Sequence, residues 1–148
     1  MATSTLIQSL VIGADADQSA RSKRQTFLAG GTIAKGDFVS PDTTKTGADR
    51  ALYCITVDTS GGAAALGVPT IGVAMSAASA GDEVVVVIAG YAEEASVATG
   101  STANLALSLD TTTSGRAAIA DAANVNIAAI ALEDAASNKA DVWVIPSL

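Results

Sequence analysis

The stretch Ile71-Gly72-Val73-Ala74-Met75-Ser76-Ala77-Ala78-Ser79-Ala80-Gly81-Asp82-Glu83-Val84-Val85-Val86-Val87-Ile88-Ala89-Gly90 decides the fold. Its two apolar runs, residues 71–75 and 84–89, are separated by small residues and a Gly-Asp turn signal. Runs of this length and composition are strands, because β-branched side chains favour extended backbone. Residues 84–88 are apolar at every position, which predicts a central strand covered on both faces.

The same grammar extends outward from this stretch. Short apolar runs at residues 38–39, 51–57, 105–109, 117–120, 127–132 and 142–145 are broken by Gly30-Gly31, Gly36-Asp37, Gly47, Gly61-Gly62, Gly90, Gly100 and Gly115. Together they predict an all-β domain, a compact barrel or sandwich-like body. In the run 51–57, Tyr53, Ile55 and Val57 share one face of the expected strand. An internal echo organises the runs. Val39-Ser40-Pro41-Asp42-Thr43-Thr44-Lys45-Thr46-Gly47 returns 68 residues later as Leu107-Ser108-Leu109-Asp110-Thr111-Thr112-Thr113-Ser114-Gly115. Val73-Ala74-Met75 and Val85-Val86-Val87-Ile88 return 57 residues later as Ile130-Ala131-Leu132 and Val142-Trp143-Val144-Ile145. Two similar β units are expected, over residues 28–90 and 97–146, with the first unit's extra residues in the loop around 59–65. The shared Asp-Thr-Thr-x-x-Gly prescribes one turn twice, since Asp can accept bonds from backbone downstream and Gly supplies positive φ.

Residues 1–27 read differently. A possible short strand at 6–12 is followed by a polar stretch, residues 13–24, without a sustained period. This predicts an extended N-terminal arm ahead of a β domain at 28–148. The charge follows the same division. Residues 1–50 hold six basic and five acidic side chains, whereas residues 51–148 hold two basic and ten acidic ones.

Composition narrows function by removing chemistry. The chain has no His, one Cys and a net charge of −7. Without His there is no Ser-His-Asp or Cys-His arrangement, and zinc lacks its usual ligands. No phosphate-cradling glycine loop is present. The acidic pairs Asp15/Asp17, Asp82-Glu83, Glu93-Glu94 and Glu133-Asp134 lack the spacing of a calcium loop and suit turns and strand edges. No enzyme activity, metal or cofactor is expected. A lone Cys54 suits a buried strand position. The acidic balance argues against nucleic acid. No run approaches the roughly 20 apolar residues that span a bilayer, so no membrane partner is expected. The N-terminal residues lack a basic start and a long apolar stretch, which predicts assembly in the cytoplasm.

The 71–90 stretch is similar to a pattern in small tailed-phage head decoration proteins, in which an Ile-Gly-Val-Ala strand leads through Ala-Gly-Asp to a Val-rich strand ending in Gly. Ala29-Gly30-Gly31-Thr32-Ile33-Ala34-Lys35-Gly36-Asp37-Phe38-Val39 resembles that family's opening segment, and residues 130–136 with 142–144 are a looser copy. The resemblance implies a compact β domain, often oligomeric, fixed to the outer surface of a capsid in the virion. The partners it implies are the major capsid protein and further copies of the chain, in the arrangement of a homotrimer. It carries no catalytic residues. On this footing Arg21, Lys23, Arg24 and Phe27 are candidate capsid contacts, and Trp143 is a candidate oligomer-interface anchor because tryptophan is enriched at hot spots. A head-fibre or tail-associated adhesin module is the alternative function.

Overall fold

A computed structural model describes residues 21–57, 69–121 and 126–146. Among the described residues, nine strands and one short helix follow in chain order: β1 (Ser22–Ala29), β2 (Phe38–Pro41), α1 (Ala48–Leu52), β3 (Tyr53–Thr56), β4 (Gly72–Ala74), β5 (Glu83–Ser96), β6 (Ala106–Leu109), β7 (Ala117–Ile119), β8 (Ile127–Ala131) and β9 (Lys139–Val144). The all-β class expected from the apolar runs is the observed one. All nine strands join in one sheet of order β1-β3-β2-β4-β5-β9-β8-β6-β7. A further antiparallel pairing, β1 with β5, closes the first five strands into a ring. Among the strand pairs only β1–β3 is parallel, with Leu28 beside Tyr53 and Ala29 beside Cys54.

The strand order reads the same from both sides of the β5–β9 seam. Outward from β5 lie β4, β2 and β3; outward from β9 lie β8, β6 and β7. The registers correspond as well. Phe38 pairs with Val73 and Val39 with Gly72, while Ala106 pairs with Ile130 and Leu107 with Ala129. These are the positions related by the sequence offsets of 68 and 57 residues. The Asp turn is also built twice. Asp42 Oδ1 accepts bonds from the Thr44 amide (3.0 Å) and hydroxyl (2.6 Å). Asp110 Oδ1 accepts the equivalent bonds from Thr112 at 2.8 and 2.7 Å. Five residues beyond each Asp, Gly47 and Gly115 adopt positive φ.

Two cores result. Phe27, Ala29, Val39, Cys54, Ala74, Val84 and Val86 come from all five ring strands and fill the ring together with Ile33 and Ala78. Phe38, Val73 and Val87 point the other way, into a second core with the Ala- and Val-rich faces of β6, β7, β8 and β9. Val86 and Val87 are therefore both fully buried, each in a different core. Burial on both faces holds at Val86 and Val87, whereas Val85, expected to be covered, is 36% exposed.

Three sequence expectations change. The arm does not run to residue 27, because residues 22–27 belong to β1, which closes the ring against β5. The remainder of the expected arm, residues 1–20, lies outside the described residues, as does the expected insertion at 59–65. Phe27 is not a surface contact but packs inside the ring. Gly90 does not end a strand: β5 continues through it for six more residues. There the φ is +88°, and a Cβ would collide with the Arg21 carbonyl oxygen. Beside it, the β1–β5 register slips between Lys23 and Arg24, leaving Ile88 without an opposite partner. Such a bulge bends a strand and re-aims its faces, which lets β5 leave the ring and line the second core. A smaller difference concerns the run 51–57, whose first two residues close α1 rather than beginning a strand.

Gly90→Ala is expected to destabilise the fold by at least about 2 kcal/mol, since it meets both the positive φ and the Arg21 carbonyl; urea unfolding measures this. Asp110 is held below its ordinary pKa. Burial acts to raise it, but the Thr112 hydroxyl and amide and the Arg116 guanidinium outweigh burial. A depressed carboxyl stabilises the fold above the unfolded value near 3.8 and loses that effect as pH falls through the folded value. Asp110→Asn is therefore expected to cost about 1–3 kcal/mol at neutral pH. The gap from the parent in thermal melts should close below about pH 4.

Candidate functional site

The residues singled out in the sequence converge at the seam where β1, β5 and β9 meet. Ser22 and Val144 pair with Gly90 from its two sides, Lys23 pairs with Ala89, and Trp143 pairs with Tyr91. Paired residues in a sheet share a face. Ser22, Gly90 and Val144 point inward and are buried, so Lys23, Ala89, Tyr91 and Trp143 share the outer face. Arg21, Lys23, Arg24, Trp143 and Pro146 line one open groove there. Arg24 donates from Nε to the Ser22 hydroxyl at 3.2 Å, which orients its side chain. Arg21, Lys23 and Arg24 are all exposed, whereas Phe27 is buried at 6% exposure.

Trp143 is 44% exposed, while Val142 and Val144 on either side are buried. Next to it across β8 stands Ile130, its register partner, at 36% exposure. Leu132 is also exposed. Ala128, Ala129 and Ala131 are buried beneath. Strand β8 thus puts its small side chains inward and Ile130 outward. Sequence reasoning missed Tyr91, Ile130 and Leu132 as part of this face. The only signal was the Ile-Ala-Leu alternation, which does not say which side is the core.

Further along the same face the charge changes sign. The Tyr91 hydroxyl donates to Asp141 Oδ2 at 2.6 Å. This bond to Asp141 and burial raise the phenol above its ordinary value, and the charges of Asp141, Glu93 and Glu133 add to the rise. Asp141 Oδ1 accepts the Glu94 amide (3.1 Å), and Glu133 Oε1 accepts the Asp141 amide (3.0 Å). Lys35 pairs with Glu94 at 2.6 Å, tying the β1–β2 loop to β5 where its register with β9 shifts between Ala92 and Ala95.

The other candidate chemical groups have structural partners. The Asp82 carboxylate accepts the Ser79 amide, and Asp134 accepts the Ala103 amide. Asp15 and Asp17 lie outside the described residues. Among the described residues no three His, Cys, Asp or Glu side chains gather as metal ligands would. Cys54 is buried in the ring, and burial pushes its thiol up to about 11. Such a thiol is a poor nucleophile at neutral pH.

No protein-family model matches the chain. No curated protein matches it either. Among solved structures, the N base of head fiber gp8.5 in bacteriophage phi29 is similar, with a TM-score of 0.53 and 12% identity. The alignment covers 84% of this chain and 95% of that chain. At this identity the likeness shows a shared fold.

The contrast between groove and core is measurable. Phe27→Ala is expected to cost about 3–4 kcal/mol in urea unfolding, as a large ring-core truncation. Lys23→Ala should stay within about 0.5 kcal/mol of the parent.

Proposed function

We propose that this chain is a structural component of the outer surface of a tailed-phage head, held there by contacts with the major capsid protein. The observation that carries this reading is the fold shared with the phi29 head-fiber base over nearly all of that chain. The 71–90 pattern, which resembles head decoration proteins, supports it from the sequence side. In this reading the chain is a cement module. It bridges capsid subunits and raises the cost of separating them, with copies acting together so that weak single contacts gain roughly 10²–10⁴ in avidity. It performs no catalysis and needs no cofactor, nucleic acid or membrane.

A second reading, the base of a head fibre or an adhesin, is favoured by what the phi29 structure is. The two readings differ in copy number and in mechanical consequence. Purified chain mixed with expanded empty capsids of its phage should co-sediment and raise the capsid's thermal disruption temperature. Its amount in purified virions should be comparable to that of the major capsid protein. Binding at a few copies without added capsid stability would establish the fibre reading instead. Failure to bind capsids, together with absence from virions, would end both.

A further inference from the structure

The ring core is open at one end. Phe27, which fills the ring, and Ile71 and Ile88, which pack against its core, also line a groove of about 420 Å³. Pro41, Pro69 and Pro146 extend its apolar wall. Ile88 is the residue that the β1–β5 bulge leaves unpaired, so no β1 residue stands opposite it. An apolar hollow of this size in the mouth of a closed ring is suited to holding a ligand or a covering segment. Lys23, at the rim, is the one charged side chain in the lining, and no carboxylate accompanies it. The occupant that fits is therefore apolar along most of its length and negatively charged where it passes Lys23.

This chain carries such a segment. Leu6, Ile7, Leu10, Val11 and Ile12 are five apolar residues within seven, and Asp15 and Asp17 follow them. The described residues begin at Arg21, which lines the neighbouring groove, and the two grooves share Lys23, Ala89 and Pro146. Followed back from Arg21, the sequence offers its two carboxylates first, for Lys23, and its apolar run next, for Ile88 and Ile71. Residues 13–20 reach at most about 28 Å when extended. A tether this short holds its end at an effective concentration of about millimolar. Both points favour the chain's own groove over that of another copy.

We propose that residues 6–12 dock in the mouth of their own ring, covering Phe27, Ile71 and Ile88, with Asp15 and Asp17 facing Lys23. The contact is made within one chain, so it holds for any number of assembled copies. It goes beyond the capsid reading, because it concerns the free chain. There it withdraws from water an apolar patch that would otherwise invite association.

Methyl NMR of the full-length chain, without capsids, tests this. The δ1 methyls of Ile71 and Ile88 are expected to show nuclear Overhauser effects to methyls of residues 6–12. In a mixture of labelled and unlabelled chains, none of these effects should pass between molecules. Leu10→Asp should remove them and raise the population of the open groove at least about tenfold, read from the shifts of the Ile71 and Ile88 methyls. The Val142 and Val144 methyls lie in the second core and should not move, which separates opening from misfolding. Lys23→Glu should raise the open population by at most about fivefold, and the triple variant K23E/D15K/D17K should restore it. Ile71 and Ile88 methyls indifferent to Leu10→Asp would overturn the proposal. So would effects that pass between chains, or charge reversals that do not rescue one another.

Discussion

The fold turns on one strand that buries neighbouring side chains in two different cores. Val86 fills the ring and Val87 the second core, one residue apart on β5. A strand can do this only if both neighbouring layers are in place, so neither core is complete without the other. The bulge at Ile88 and the positive φ of Gly90 then let the same strand leave the ring and pair with β9. The missing Cβ at Gly90 admits the Arg21 carbonyl, which holds the start of β1 against this junction. The groove between the basic residues and Trp143 is the outward side of the same junction. Its geometry is therefore set by this tightly packed backbone junction, which suits a surface that must present side chains in a set register.

Around this strand the two halves solve one problem twice with different reinforcement. Each places an Asp at the end of a central strand and ties it to the amide and hydroxyl of the second following Thr. In the second half the Asp also pairs with Arg116 at 2.6 Å. In the first half Arg50 instead donates to the Lys45 and Thr43 carbonyls, closing the loop by its backbone. The ring core holds Phe27 and Ile33, whereas the second core sets Phe38, Leu107 and Leu109 among Ala92, Ala95, Ala117, Ala128, Ala129, Ala131 and Ala140. Small side chains bring layers close and leave the large ones, Ile130 and Trp143, facing outward.

The sequence was most legible where burial and composition agree. Residues 84–88 announced a central strand because no polar residue interrupts them, although Val85 among them is exposed. The repeated Asp-Thr-Thr announced its turn because that turn is made by local bonds. β1 was illegible for the opposite reason. Residues 23–26, Lys-Arg-Gln-Thr, are all exposed, so they show no alternation and read as an arm. Their pairing to β5 is a long-range fact with no local signature. Gly90 misled because glycine marks a turn and a close backbone approach alike. Of the candidate surface, Arg21, Lys23, Arg24 and Trp143 were legible as residue types. Their meeting across Gly90 was not, because it depends on the register of three strands far apart in the chain.

The ring closure by β1 also sets an order of events during synthesis. β1 leaves the ribosome before the other described strands, yet its parallel partner β3 begins at Tyr53 and its antiparallel partner β5 at Glu83. Until β3 and then β5 are made, a strand carrying Phe27 and Leu28 lacks its partners. Closure thus rests on contacts of high sequence separation, which fold slowly because loop entropy is lost before pairing rewards it. The unpaired strand is at that stage the part of the chain most open to pairing with a neighbour. Its four exposed polar residues, two of them cationic, are a gatekeeper against that mistake, placed where the nascent chain waits longest.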